Sequence, residues 1–208
     1  LFEAQPAAFH DLLRNRPGVV AVQAAISDEC VAEGSTVSFE ESPGTSGKIR
    51  PHNYTKRKLV TVPCAPLSRY VSLLGAEHIS FLSLDVEGGE LNVLRSLDWA
   101  AQSVGVLVVE ELHEESSFAK NAAVEAFLSR HTRMVKLFVG CWHPRGCDAY
   151  WVDPKSFDMG SVLARNRTYD VMEPAKKGRQ YAVHRNSINK QCVAPPLIEA
   201  RRAADAAV

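Results

Sequence analysis

The feature that most constrains the fold is the alternation of compact apolar runs with amphipathic segments. Three compact apolar runs predict strands: 19–27, 79–86 and 104–111. The first and third are typical of strands buried in a sheet. Four segments with apolar residues at helical spacing predict helices: 7–16, 66–75, 89–97 and 118–131. This order is typical of an α/β domain with a mostly parallel sheet covered on both faces.

The other segments add strands to this pattern. The alternating segments 34–42 and 58–64 predict a strand pair that bounds a mobile insertion, and 134–140 and 148–153 predict two later strands. From residue 154 the pattern becomes less regular. We therefore predict one domain over 1–153 and a partly irregular C-terminal extension over 154–208.

Charge and hydropathy exclude two classes of partner. The chain has 208 residues, with 24 Lys plus Arg and 24 Asp plus Glu, so its formal net charge is +0. A chain without a basic field is not expected to bind nucleic acid. No apolar run approaches the roughly 18 residues that a membrane span requires, so we expect no membrane span.

The cysteines predict neither a disulfide framework nor a zinc site. There are five of them, an odd number, and none forms a C-x-x-C pair. Cys141 and Cys147, with His143 between them, have the wrong spacing for a metal clip. We therefore predict no metal and slightly favour a reducing compartment.

The first residues have the character of a strand end. The chain opens "LFEAQPAAF", without Met or a signal-type segment. We expect at least one strand and one helix to precede it, so the sequence does not indicate a localisation.

Acidic residues follow several of the predicted strands: Glu3, Asp28, Asp85 with Glu87, and Glu110 with Glu111. Ligands of open parallel sheets bind beyond the carboxyl ends of the strands, so these acids predict an acidic rim around a binding site. The alternative is that acids favour helix N-termini, which explains Glu90 and accounts for Glu87 as a helix cap. That alternative does not explain Glu110, which no clear helix follows.

Glu3 is the candidate ribose ligand. A carboxylate at a strand end can accept hydrogen bonds from both ribose hydroxyls, as in nucleotide-binding folds. The glycine-rich turn that should precede it is absent, and the pair Gly88 and Gly89 does not fit G-x-G-x-x-G. The spacing alone therefore leaves an ordinary strand-end acid as the alternative.

One block carries a family resemblance. The segment "FLSLDVEGGELNVLRSLDW", starting at residue 81, resembles the Asp-Val-Glu-Gly signature of FkbM-type methyltransferases. "FEAQPAAFHDLL" is similar to the segment after that family's second strand, and "AAISDE" is similar to its Ala-x-Ser-Asp turn. The resemblance covers residues 1–153 in the same order, but the family's Asp-x-Gly-Ala-Asn-x-Gly turn has no counterpart.

The resemblance implies a Rossmann-like class I methyltransferase that uses S-adenosylmethionine and lacks its first strand and helix here. Such enzymes usually methylate hydroxyl groups of sugars or small natural products, so the implied partner is a small-molecule or glycan acceptor. By position, Glu3 would hold the ribose, and Ser27 with Asp28 would flank the adenine. Asp85 would lie near the methionine end of the cofactor and near the acceptor.

These acids suggest a mechanism. A carboxylate beside the acceptor hydroxyl can take its proton and favour the cationic methyl donor. Asp85 is the first candidate for this base, and Glu87 and Glu110 are the alternatives. His113 could serve as a base, but a surface histidine among acids is the favoured interpretation.

Two other functions compete with this hypothesis. The absent glycine-rich turn favours a non-catalytic methyltransferase-like interaction module or a truncated remnant. A nicotinamide-dependent oxidoreductase would share the sheet and the ribose acid, but no Tyr-Lys or His arrangement supports it. Acceptor choice is expected to reside in the insertion 40–58, the loop 111–118 and the tail.

Overall fold

The computed structural model describes most of the chain, in two compact units. The described ranges are 1–42, 47–54, 56–112, 115–141, 146–157, 170–173 and 182–185. The first unit comprises residues 1–77 and 85–103, and the second comprises 78–84 and 104–208. The predicted division after residue 153 stays a prediction.

The described residues of the first unit form three helices and a four-stranded sheet. Its helices are α1 (Pro6–Asn15), α2 (Leu67–Leu73) and α3 (Glu90–Arg95). Its strands are β1 (Ala25–Ile26), β2 (Thr36–Glu40), β3 (Lys48–Ile49) and β4 (Leu59–Ala65), in the spatial order β1-β4-β2-β3. Strand β1 is parallel to β4, whereas β2 is antiparallel to both β3 and β4.

The second unit is built around another four-stranded sheet. Its strands are β5 (His78–Leu84), β6 (Ser103–Leu112), β7 (Val135–Cys141) and β8 (Gly146–Val152), in the order β5-β6-β8-β7. A 3₁₀ turn (Glu115–Ser117) leads into α4 (Phe118–His131), and β9 (Asp170–Glu173) pairs with β10 (Ala182–Arg185). Strand β8 is antiparallel to both β6 and β7. Among the described residues, no helix is both long and apolar enough to cross a membrane.

The predicted α/β fold is confirmed, whereas the mostly parallel sheet is not. Both four-stranded sheets include antiparallel pairs, and in the first sheet a parallel pair accompanies them. The reason is the length of the connections. A parallel pair needs a crossover of a dozen or more residues, but only seven residues separate β2 from β3 and only four separate β7 from β8.

Helix predictions were more accurate than strand predictions. The helix predicted over 118–131 coincides with α4, and α1 has the predicted Pro6 in its first turn. The predicted strand pair 34–42 and 58–64 is also confirmed, as β2 with β4. The strand predicted over 19–27 is instead reduced to a bridge at Val22 and the two residues of β1, and Val20 is largely exposed.

A disulfide lies in the core of the first unit. Cys30 and Cys64 are bonded to each other and pack with Ala25, Phe39 and Val62, all of them buried. The bond joins the turn after β1 to β4, the parallel partner of β1.

A second disulfide joins Cys141 of β7 to Cys147 of β8, which are direct partners across the antiparallel pair. The prediction that the cysteines form no disulfides was therefore wrong. The odd number of cysteines argued against pairing, but four of the five form these two bonds. Their spacing along the chain did not reveal which of them the fold brings together. Because disulfides persist in oxidising surroundings, the argument for a reducing compartment no longer holds.

Replacing both Cys30 and Cys64 by Ala is expected to lower the free energy of unfolding by about 4 kcal/mol, because their bond spans 34 residues and restricts the unfolded chain. The matched control replaces Cys141 and Cys147, which are 6 residues apart, with an expected loss of about 2 kcal/mol. Urea denaturation measures both losses. A smaller loss for the first pair would contradict the explanation from loop length.

Glu40, at the end of β2, is a buried carboxylate with two cationic partners. Its carboxylate accepts a hydrogen bond from Arg50 Nε at 2.6 Å and forms an ion pair with Arg57 Nη1 at 2.9 Å. The Arg50 hydrogen bond lowers the pKa of Glu40 below 4.5, although burial opposes this and the charge of Arg57 adds to it. Arg50 also lies over the Tyr54 ring, 4.8 Å from its centroid. The carboxylate is therefore held ionised beside the connection between β2 and β3.

Acidification is expected to remove the stability that Glu40 provides. Since its pKa is lower in the folded chain than its ordinary value of 4.5, the unfolded chain binds more protons as the pH falls. The contribution is thus present above pH 4.5 and is lost as the pH falls through the folded pKa. Urea denaturation of Glu40→Gln across this range should give a flatter pH dependence than the parent chain. An unchanged dependence would contradict the assignment.

Candidate functional site

The candidate site is centred on the turn formed by residues 85–90, between the end of β5 and the start of α3. Asp85 is exposed and directly follows the strand. The chain then reverses through two left-handed residues, Glu87 with φ 58° and Gly88 with φ 100°. Glycine adopts such angles without strain, whereas a side chain with a Cβ rarely does. A glutamate at this position is therefore unusual.

Glu90 holds the turn together from inside. Its side chain is buried, and Oε1 accepts hydrogen bonds from the backbone N–H groups of Gly88 at 2.9 Å and Val86 at 3.2 Å. The sequence left open whether Glu87 caps the following helix, and the structure does not have this cap. Gly89 is the N-cap of α3 and no side chain caps that helix end. The carboxylate that binds backbone N–H groups is the one at Glu90.

The turn after β1 carries Ser27 and Asp28 and is joined to α3. Ser27 is fully buried, and its Oγ accepts a hydrogen bond from the backbone N–H of Glu29 at 3.3 Å. The Asp28 N–H donates to the carbonyl oxygen of Asn92 at 3.3 Å. The structure thus brings the predicted Ser-Asp turn against the helix that follows the acidic turn.

The side chain of Asp28 has an incomplete environment. Its Oδ1 is buried, and no hydrogen-bond partner for this atom occurs among the described residues. A buried polar atom is normally satisfied, and leaving it unpaired costs about 1–3 kcal/mol. A hydrogen-bond donor would complete this environment, and a ligand could supply one only if the turn moves, because the protein encloses this atom.

Glu3 has a structural role in the first unit, and its predicted role as the ribose ligand stays a prediction. Its Oε1 accepts a hydrogen bond from the backbone N–H of Gln5 at 2.7 Å, where Gln5 is the N-cap of α1. Gln5 is itself buried, and its Oε1 accepts a hydrogen bond from Ser42 N–H at 3.2 Å. The strand-end acid therefore helps to attach α1 to the segment that follows β2.

Among the described residues, one ion pair connects the hairpin of β2 and β3 to the acidic turn. Lys48 Nζ lies 3.8 Å from Glu87 Oε2. Sequence reasoning missed both Lys48 and Gln5, because neither belongs to a recognisable motif and each becomes relevant only through contacts between distant segments.

The remaining predicted acids lie in the second unit. Glu110 is on β6 and lies opposite Asp148 of β8 in the antiparallel register. Glu111 forms an ion pair with Lys136 at 3.1 Å, which favours a structural role for that carboxylate. The prediction that Glu110 shares one rim with Asp85 stays a prediction, and His113 lies outside the described residues. In the described part of the chain, no group of three or more His, Cys, Asp or Glu residues could hold a metal ion.

Three features of this site belong to segments that resemble a methyltransferase: the acidic turn after a strand, the helix that follows it and the attached Ser-Asp turn. A scan against family models supports this class, since the model of the methyltransferase FkbM domain matches residues 1–138. The chain belongs to the FkbM methyltransferase domain family, as its Asp-Val-Glu-Gly block predicted. Neither the search of curated proteins nor that of solved structures found a match.

Replacing Glu90 by Ala is expected to lower the free energy of unfolding by about 1–3 kcal/mol, because two backbone N–H groups lose their acceptor. Glu90→Gln is the matched control, because its amide oxygen retains the acceptor and a smaller loss is expected. Urea denaturation of the parent chain and the two variants measures these free energies of unfolding. Equal losses for the two variants would show that the hydrogen bonds to Val86 and Gly88 are not the source of the effect.

Proposed function

We propose that this chain is an S-adenosylmethionine-dependent O-methyltransferase whose acceptor is a hydroxyl group of a sugar or another small molecule. Family membership supports methyl transfer in general. The observation that carries the finer proposal is the buried, unpaired Oδ1 of Asp28, a residue bonded to α3, the helix that follows the acidic turn. An unpaired acceptor at this position fits a ligand that brings an N–H group, as adenine does.

The residues of the first unit fit the adenosine part of the cofactor. Asp28 would accept a hydrogen bond from the exocyclic amine, with Ser27 holding the shape of the turn through its bond to Glu29 N–H. Glu3 would bind the ribose through Oε2, since Oε1 is engaged by Gln5 N–H. Methyltransferases generally use S-adenosylmethionine, which supplies an electrophilic methyl group on a sulfonium ion.

The chemical role falls to the acidic turn. Asp85 is exposed directly beyond β5. A carboxylate there can accept the proton of an acceptor hydroxyl and orient the hydroxyl oxygen for in-line methyl transfer. A carboxylate there also favours a cationic donor electrostatically. Glu87 and Glu110 remain alternative bases. The ion pair with Lys48 favours a role for Glu87 in orienting the acidic turn.

Acceptor choice is assigned to three segments outside the acidic turn. The insertion 40–58 contains β3 and the cluster around Glu40, and it adjoins the acidic turn through Lys48. The loop 111–118 and the tail are further candidates. The proposed partner is a small-molecule or glycan acceptor.

Calorimetry with S-adenosylhomocysteine tests the proposal. Asp28→Asn is expected to weaken binding by about tenfold or more, because the amide cannot offer the same ionised acceptor to a buried donor. Asp85→Asn is expected to bind with nearly unchanged affinity, because its role is in the transfer step. If an upstream extension is encoded, the measurement is repeated on the longer chain.

The outcomes separate the competing functions. The methyltransferase proposal is supported if Asp28→Asn weakens S-adenosylhomocysteine binding and Asp85→Asn leaves it intact. Absence of binding by every form of the parent chain would overturn it in favour of a non-catalytic interaction module. Equal weakening by both variants would contradict the separate roles given to Asp28 and Asp85.

A further inference from the structure

The ion pair between Lys48 and Glu87 joins two segments that the sequence separates by 39 positions (87 − 48). Both side chains are partly shielded, with 36% of Lys48 and 22% of Glu87 exposed. Among the described residues, Lys48 is the only Lys or Arg within 4.0 Å of the Glu87 carboxylate. The orientation of this carboxylate therefore depends on one lysine.

The backbone at Glu87 makes this dependence informative. With φ 58°, the residue lies in the left-handed region, which is strained for a residue with a Cβ. Glycine would adopt the same angle without that strain, and two glycines follow directly. A strained glutamate in a glycine-rich turn indicates that its side chain has a use.

The other partner is held firmly on its own side. Lys48 begins β3, and Gly47 before it lies so close to its surroundings that an added Cβ would be 2.4 Å from the Phe39 ring and 2.9 Å from Gln5 Oε1. This close approach fixes the backbone from which the lysine extends. The neighbouring carboxylate across the hairpin, Glu40, is already paired with two arginines. Lys48 pairs with Glu87 instead.

We propose that Lys48 is a positioning residue, which holds the Glu87 carboxylate in one orientation and thereby restrains the turn that carries Asp85. This inference rests on the proposed function, because the functional importance of the turn comes from methyl transfer there. It assigns to the hairpin of β2 and β3 a task in ordering the candidate catalytic turn.

Amide hydrogen exchange at Val86 and Gly88 tests this inference in the full chain. Lys48→Gln is expected to speed exchange at both amides by about two- to fivefold, the range that a partly exposed ion pair accounts for. The matched control is Lys58→Gln, which removes the same charge from a pair with Glu41 on the same unit. This control should leave the two amides unchanged.

Rescue separates a direct ion pair from a general effect on folding. Lys48→Arg should restore slow exchange, and the charge exchange of Lys48→Glu combined with Glu87→Lys should restore most of it. Equal exchange in Lys48→Gln and Lys58→Gln, or no recovery in Lys48→Arg, would overturn the proposal. Binding of S-adenosylhomocysteine, measured on the parent chain, is a separate result: its absence would remove the proposed function while leaving the coupling of Lys48 to the turn measurable.

Discussion

The candidate site depends first on the hydrogen bonds that Glu90 makes to its own turn. Three carboxylates lie within six residues, and at first sight they should repel one another. The structure gives them different environments: Asp85 faces solvent, Glu87 has a cationic partner, and Glu90 is buried against the N–H groups of Val86 and Gly88. Burial of one acid and pairing of another leave the exposed one available for chemistry.

The hairpin of β2 and β3 contributes more to this region than its length suggests. Its strands are short, but it is anchored at Gly47, where the backbone approaches Phe39 and Gln5 too closely for any side chain. Gln5 in turn bonds Ser42 N–H and is held by Glu3. The hairpin thereby links the first predicted acid of the chain to the turn at 85–90, and the cofactor and acceptor roles proposed here share one scaffold.

The elements predicted well from sequence were those that local periodicity defines. Helix α4 was predicted with both ends correct, and the Asp-Val-Glu-Gly block identified the family because its residues are contiguous. The errors concern long-range pairing. The two disulfides, the antiparallel partners of β8 and the role of Glu90 all require knowledge of which segments lie side by side.

The sequence by itself determined the α/β class, the family and the positions of the strand-end acids, because periodicity and a contiguous motif are properties of the chain alone. Only the tertiary structure decided that the Asp28 carboxylate keeps a buried oxygen unpaired and that Lys48 lies within reach of Glu87. Both facts depend on the solvent exclusion and distances that folding creates between segments remote in sequence. The tertiary structure therefore decides which groups form ion pairs and hydrogen bonds with one another, and the identity of the residues alone does not.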